Sequence, residues 1–320
     1  MLTRLVLVPI LLAAACAGPP KTKKAAAPPP PPPVEKKAEP PAPPPPPQPT
    51  LALKDIGLAT PESVVYDAAD DFYFVSNIDG APSAADGNGF ISRIAPDGTV
   101  DNLKFVDGSK KGSTLNAPKG LAIVGDTLYV ADLDTLRMFD RKTGKAKGAV
   151  KLKGATFAND VAAGPDGTIY VTDSGIKIDD SGVSETGTDG VWAVKGKKAK
   201  LLAKGAELGH PNGISVDASS GAIWVCSFGS GELYTLDAKG ARDKVQKLPG
   251  GQCDGLYVNG EEVWATSWEK SAVFKGTIGG ELTQVWGDLK SPADFGFDQK
   301  RNLVLVPLFM ENSVVAYEVK

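Results

Sequence analysis

PESVVYDAADDFYFVSN at residues 61–77 and APKGLAIVGDTLYVAD at residues 117–132 share one pattern: a short apolar run, a polar turn, and a second apolar run ending in a small or polar residue. Four further stretches repeat it: FANDVAAGPDGTIYVTD (157–173), HPNGISVDASSGAIWVCS (210–227), QCDGLYVNGEEVWATS (252–267) and SPADFGFDQKRNLVLVP (291–307). In the first five copies two more strand-like runs follow the pair. Superposing the copies puts Glu62, Lys119, Asn159, Asn212, Asp254 and Ala293 in one column, at spacings of 57, 40, 53, 42 and 39 residues. A period averaging about 46 residues with four strands per period is the pattern of a β-propeller. The expected fold is all-β, a six-bladed propeller.

The sixth copy runs out of chain after its third strand, residues 313–319, whereas LALKDIGL (51–58) is strand-like and precedes the first copy. The N-terminal segment is therefore expected to supply the missing outer strand, closing the ring and removing open sheet edges. Pro96-Asp97-Gly98, Pro165-Asp166-Gly167 and Asp237-Ala238-Lys239-Gly240 mark turns at strand ends. Phe74, Tyr129, Tyr170, Trp224 and Trp264 share a position in the second run and read as core between twisted blades. Two copies are long because residues 79–89 (DGAPSAADGNG) and 175–190 (GIKIDDSGVSETGTDG) are inserted after the second run. Both rise over the same face, either as solvated loops or as lids on a pocket.

The first fifty residues have a different composition. Of 26 prolines, 16 lie in residues 17–50, and residues 1–50 carry six basic and two acidic side chains. The overall charge of −3 thus leaves −7 on the remainder, which argues against nucleic-acid binding. Arg4, the apolar run 5–12 and Ala13-Ala14-Ala15-Cys16 have the form of a secretory signal too short to span a bilayer. The Cys16 context resembles a bacterial lipoprotein box, in which the cysteine is diacylated; the other reading is an ordinary cleaved signal with an incidental cysteine. The expected organisation is a lipoprotein signal peptide at 1–16, a proline-rich polyproline-II linker at 17–50 and a propeller at 51–320. The protein is expected to be exported to the cell envelope, at the outer membrane facing the periplasm, tethered through lipid on Cys16 and monomeric.

In a propeller the innermost strands line the axis, so a column of repeat-equivalent residues becomes a ring around a cavity. One histidine, His210, excludes a multi-histidine zinc site, and three cysteines exclude zinc ribbons. Glu62, Asn159, Asn212 and Asp254 form an oxygen-only set suited to a hard cation such as Ca2+. Gly120, Gly213 and Gly255 follow column residues, as expected where backbones crowd the axis. His210 lies two positions before Asn212 and reads as structural, and no GxSxG elbow accompanies it. Cys226 and Cys253 fall on neighbouring blades near one face, where they could form a disulfide or sit as small buried hydrophobes.

ESVVYD, FAND, PNG and CDG, in that order, resemble the motifs of the family of gluconolactonase and regucalcin (senescence marker protein), which includes luciferin-regenerating enzyme and the drug-responsive lactonases. The resemblance spans residues 51–320 and implies a six-bladed propeller with one catalytic divalent cation on its axis. It further implies Glu62, Asn159, Asn212 and Asp254 as metal ligands, with Asp254 also as base or nucleophile and Asn159 as a substrate-side contact. Lys119 departs from the family pattern; it could stabilise an oxyanion or grip an acidic substrate, oppose the cation, or pair with Glu62. The expected activity is opening of a lactone or similar ester, a small-molecule substrate, by a metal-dependent hydrolase. The alternative is a non-catalytic envelope propeller that binds ligands or proteins. A quinone-dependent redox protein has no supporting residues.

Overall fold

The computed structural model describes Gly18, residues 47–179 and residues 181–319. The signal segment, Cys16 and nearly all of the proline-rich linker lie outside the described residues. Six four-stranded antiparallel sheets follow one another along the chain, each ordered from the axis outward. Their innermost strands are Pro61–Asp67, Pro118–Val124, Ala158–Ala163, Pro211–Val216, Cys253–Asn259 and Gly296–Asp298. The sixth sheet takes its outer strand from Leu51–Leu53, which pairs with Val314–Ala316, so the ring closes through its N-terminus as the repeat count requires. The only helical pieces among the described residues are two single 3-10 turns.

Each blade is apolar on both faces because it packs against two neighbours. The buried hydrophobic side chains accordingly separate into six clusters, one between each pair of adjacent blades. At about 1.5–3 kcal/mol per fully buried large side chain, these interfaces dominate the stability of the ring. Phe74, Trp224 and Trp264 are buried in them as expected, whereas Tyr129 and Tyr170 are only half-buried and pack against the edges of their clusters.

A β-bulge recurs in the inner strand of blades 1 to 5, between Pro61 and Val64, Pro118 and Leu121, Ala158 and Val161, Pro211 and Ile214, and Cys253 and Leu256. A bulge sets two residues against one on the partner strand and bends the chain locally. Here the extra pairs are Glu62-Ser63, Lys119-Gly120, Asn159-Asp160, Asn212-Gly213 and Asp254-Gly255. The bulge is what aims the aligned column at the axis.

The second insertion is not an irregular loop. Ile176–Asp179 pairs with Gly182–Glu185 in a separate two-stranded hairpin. Gly175 launches it with φ +64°, and a Cβ there would meet the Asp189 backbone nitrogen at 2.5 Å, so only glycine fits. Ile178 N–H donates to Ser83 Oγ of the first insertion, so the two insertions touch.

Candidate functional site

Glu62, Lys119, Asn159, Asn212 and Asp254 line one cavity of about 460 Å3 at the end of the propeller axis. Ala293, the sixth member of the column, is buried without lining it. Three hydroxyls at one repeat-equivalent position, the penultimate residue of the second strand, hold the bulges in place. Ser76 Oγ accepts from Ser63 N–H (2.9 Å), Thr172 Oγ1 from Asp160 N–H (2.9 Å) and Thr266 Oγ1 from Gly255 N–H (2.7 Å). Two of them also bridge to the next blade: Thr172 donates to Asn212 O (2.6 Å) and Thr266 to Ala293 O (3.3 Å). Cys226 occupies the same position in blade 4, and it forms a disulfide with Cys253 of blade 5. The covalent bond replaces the hydroxyl bridge next to Asp254. The glycines of the bulges crowd the axis as expected: a Cβ on Gly120 would meet Asp160 Cα at 2.5 Å, and one on Gly213 would meet Asp254 O at 2.3 Å.

Four acceptor oxygens on this floor are buried and have no hydrogen-bond partner: Glu62 Oε2, Asn159 Oδ1, Asn212 Oδ1 and Asp254 Oδ1. Each unpaired buried acceptor costs about 1–3 kcal/mol. The Asn159 amide orientation follows from its neighbours. Ser174 Oγ donates to Pro211 O (2.8 Å), so it can only accept from Asn159 Nδ2 (2.9 Å), which turns Asn159 Oδ1 toward the cavity. Two carboxylates and two carboxamides with orphaned oxygens fit a hard cation, which prefers oxygen and tolerates carbonyl ligands. Among the described residues no three His, Cys, Asp or Glu side chains gather at metal-binding distance; the candidate set depends on the two asparagines.

Lys119 is 1% exposed. Its ammonium donates to Pro82 O (3.1 Å) on the first insertion and to Ala117 O (3.0 Å), and it lies 4.1 Å from the centre of the Phe157 ring. It is held by these groups rather than bonded to Glu62, and burial brings its pKa down to about 8 against the opposing pull of Glu62 and Asp132. Glu62 and Asp254 are pushed well above the usual carboxylate range, first by burial and then by neighbouring carboxylates. The Trp268 indole N–H faces Asp254 closely enough to favour its charged form, yet outside hydrogen-bonding geometry, so both Trp268 Nε1 and Asp254 Oδ1 remain without partners.

His210 also lines the cavity. Its Nδ1 lies 2.9 Å from Ser174 O and 3.1 Å from Asp189 Oδ2, and its Nε2 lies 3.8 Å from Glu185 on the hairpin. The structure thus gives it an anchoring position between floor and hairpin, close to the structural reading. Its backbone is left-handed (φ +57°), as are the equivalent Thr60, Gln252 and Ser291. Such strain persists only where the surroundings enforce it.

Two further columns escaped the sequence reading. One residue past the aligned column lie Asp160 and Asp294, both buried beneath the floor, where Asp294 accepts from Ser63 Oγ and Asp160 from Ile214 N–H. One residue past the end of the second strand in five of the six blades, Ile78, Ser174, Phe228, Trp268 and Phe309 form a collar above the floor. The backbone N–H of each collar residue donates across to the carbonyl two residues before the aligned column: Thr60, Phe157, His210, Gln252 and Ser291. The same repeat alignment, read one column further in each strand, contains both.

No family model matches the chain, and no curated protein is similar to it in sequence. Solved structures match over most of its length. A gluconolactonase from Xanthomonas campestris is 18% identical, with a TM-score of 0.61, over 81% of this chain and 86% of that one. Virginiamycin B lyase from Staphylococcus aureus is 14% identical, with a TM-score of 0.58, over 84% and 99%. A chain of the nidogen–laminin complex is 19% identical, with a TM-score of 0.57, over 71% and 80%. A gluconolactonase, a lyase and a chain of a protein complex thus share the propeller architecture, and the chain is a six-bladed propeller with a gluconolactonase-like fold.

Proposed function

We propose that the protein is a metal-dependent hydrolase that opens a lactone or similar ester on the propeller axis. The observation that carries this reading is the set of four buried acceptor oxygens without partners, contributed by four blades to one cavity floor. Glu62, Asn159, Asn212 and Asp254 would hold a divalent cation, with calcium favoured by the all-oxygen set, and the cation would supply Lewis-acid polarisation of the ester carbonyl.

The chain's own groups divide the remaining work. Asp254 takes the proton from an attacking water, or attacks directly; either role needs the ionised carboxylate. Lys119 donates two of its three N–H hydrogen bonds to the Pro82 and Ala117 carbonyls, which leaves one for a substrate oxygen that gains charge. The second N–H of the Asn159 amide, not used by Ser174, is a further donor available to that oxygen. The two touching insertions border the cavity above the floor through Pro82, Ile176, Ile178 and Val183. In the cell the enzyme would act on small molecules in the envelope, as a monomer tethered through lipid on Cys16.

Asp254→Asn should keep the fold and remove hydrolysis, by at least a hundredfold in kcat, in a lactone and ester panel assayed with calcium. Unchanged turnover in that variant would exclude the role. Calcium binding by calorimetry without turnover of any ester would leave the second reading, a propeller that binds its ligand unchanged.

A further inference from the structure

We infer that the substrate is a largely apolar lactone or ester, with an alkyl or aryl body and a single carbonyl group, rather than a polyhydroxylated sugar lactone. The ester group in this inference rests on the hydrolase reading; the apolar body rests on the walls of the cavity. Above the polar floor the collar presents Ile78, Phe228, Trp268 and Phe309. Trp268 packs edge-on to Phe228 at 5.6 Å and tilted against Phe309 at 5.2 Å, so three blades contribute one continuous aromatic wall. Opposite it the hairpin adds Ile176, Ile178 and Val183, and Phe157 closes the side beside Lys119.

The polar groups on these walls are few, and several are already committed. Ser174 Oγ donates to Pro211 O and accepts from Asn159, and His210 Nδ1 is bonded to Ser174 O. Glu185, Gln252 and the second His210 nitrogen remain at the rim. A sugar lactone seated here would bury most of its hydroxyls against carbon, and each one left unpaired would weaken binding roughly tenfold. On these walls Trp268 Nε1–H is a buried donor without a partner, facing the cavity beside Asp254. An ester oxygen, which can only accept, suits that donor. Val183, 70% exposed at the hairpin although it lines the cavity, is a hydrophobe that an apolar occupant would cover.

The test compares two pairs of compounds on the full-length protein with calcium. Binding is measured by calorimetry with non-hydrolysable lactams, δ-decanolactam against gluconolactam, and turnover with δ-decalactone against glucono-δ-lactone. The expected result is at least tenfold tighter binding of the alkyl lactam. Trp268→Phe, which keeps an aromatic side chain in the wall and removes the N–H donor, should weaken that binding about tenfold. Val183→Ser, at an exposed position that folding does not depend on, should weaken it about threefold while leaving the short δ-valerolactam unaffected. Equal or tighter binding of gluconolactam, or binding of neither lactam, overturns the inference. Alkyl lactam binding with no turnover of either lactone supports the ligand class and removes the hydrolase reading. Preferred turnover of glucono-δ-lactone keeps the hydrolase and removes the ligand class.

Discussion

Ser174 shows how little a column of aligned residues says about the chemistry of its members. The alignment puts Asn159 on the axis, but an amide can present either oxygen or nitrogen there. The choice is made by a serine fifteen residues away, whose own proton is already given to Pro211 O. Ser174→Ala should therefore release the Asn159 amide to rotate. Calcium affinity is expected to fall about tenfold, the usual cost of losing a hydrogen bond that orients a ligand. Stability should fall by only about 1 kcal/mol. Calorimetry with calcium and thermal unfolding of the same sample separate these effects; unaltered affinity would mean that Asn159 is not a ligand. All five polar members of the column were legible in the sequence and reach one cavity. Their partners were not, because Ser174, Trp268 and Asp294 come from other strands and blades, and only the fold makes them neighbours.

At the scale of the element, the recurrent device is a bulge locked by a hydroxyl from the adjacent strand, which in blades 3 and 5 also reaches the next blade. Blade 4 uses the Cys226–Cys253 disulfide at that position. It closes a loop of sequence separation 27, and the chain-entropy relation assigns such a loop roughly 3–4 kcal/mol. The Cys226→Ala/Cys253→Ala double variant should be destabilised by about that amount in denaturant unfolding. Cys226→Ser/Cys253→Ala should recover about 1 kcal/mol, because a serine hydroxyl can restore the bond to Asp254 O that Thr172 and Thr266 make in their blades. Equal stability of the two variants would refute the substitution of one bridge for the other. The strands and the closing segment were readable from period and turn chemistry. The bulges were not, since a bulge changes pairing without changing composition. The hairpin at 175–190 was hidden for a different reason: its Gly, Ser and Asp content reads as loop, although Ile176, Ile178 and Val183 already carried the alternation of a strand pair.

Over the whole molecule, the propeller gathers four buried carboxyl groups, Glu62, Asp160, Asp254 and Asp294, from four blades at the centre of the ring. Burial raises all four, Asp294 to about 7 and the others well above the usual range, with mutual repulsion adding for Glu62, Asp160 and Asp254. A carboxyl whose folded pKa lies above its unfolded one contributes stability below about pH 4, and that contribution is lost as pH rises through the folded value. The cation-free protein should therefore lose stability as pH rises above about 4, through about 7 for Asp294, each tenfold difference in proton affinity between folded and unfolded chain being worth about 1.4 kcal/mol. Asp71, Asp166 and Asp179 at the surface, and Asp217, are displaced the other way, the first three chiefly by lysine or arginine partners and Asp217 by serine hydroxyls. Their contribution disappears only in stronger acid, below this window. Calcium on the floor would bind the ionised carboxylates, so its stabilisation should grow with pH where the free protein weakens. Thermal unfolding at pH 5 and pH 8, with chelator and with millimolar calcium, tests the whole arrangement. The expected pattern is a chelated midpoint lower at pH 8 than at pH 5, and a calcium-induced rise larger at pH 8. A chelated midpoint that climbs with pH, or one that calcium leaves unmoved at pH 8, would mean that the central carboxylates are neutralised from within the protein rather than by a cation.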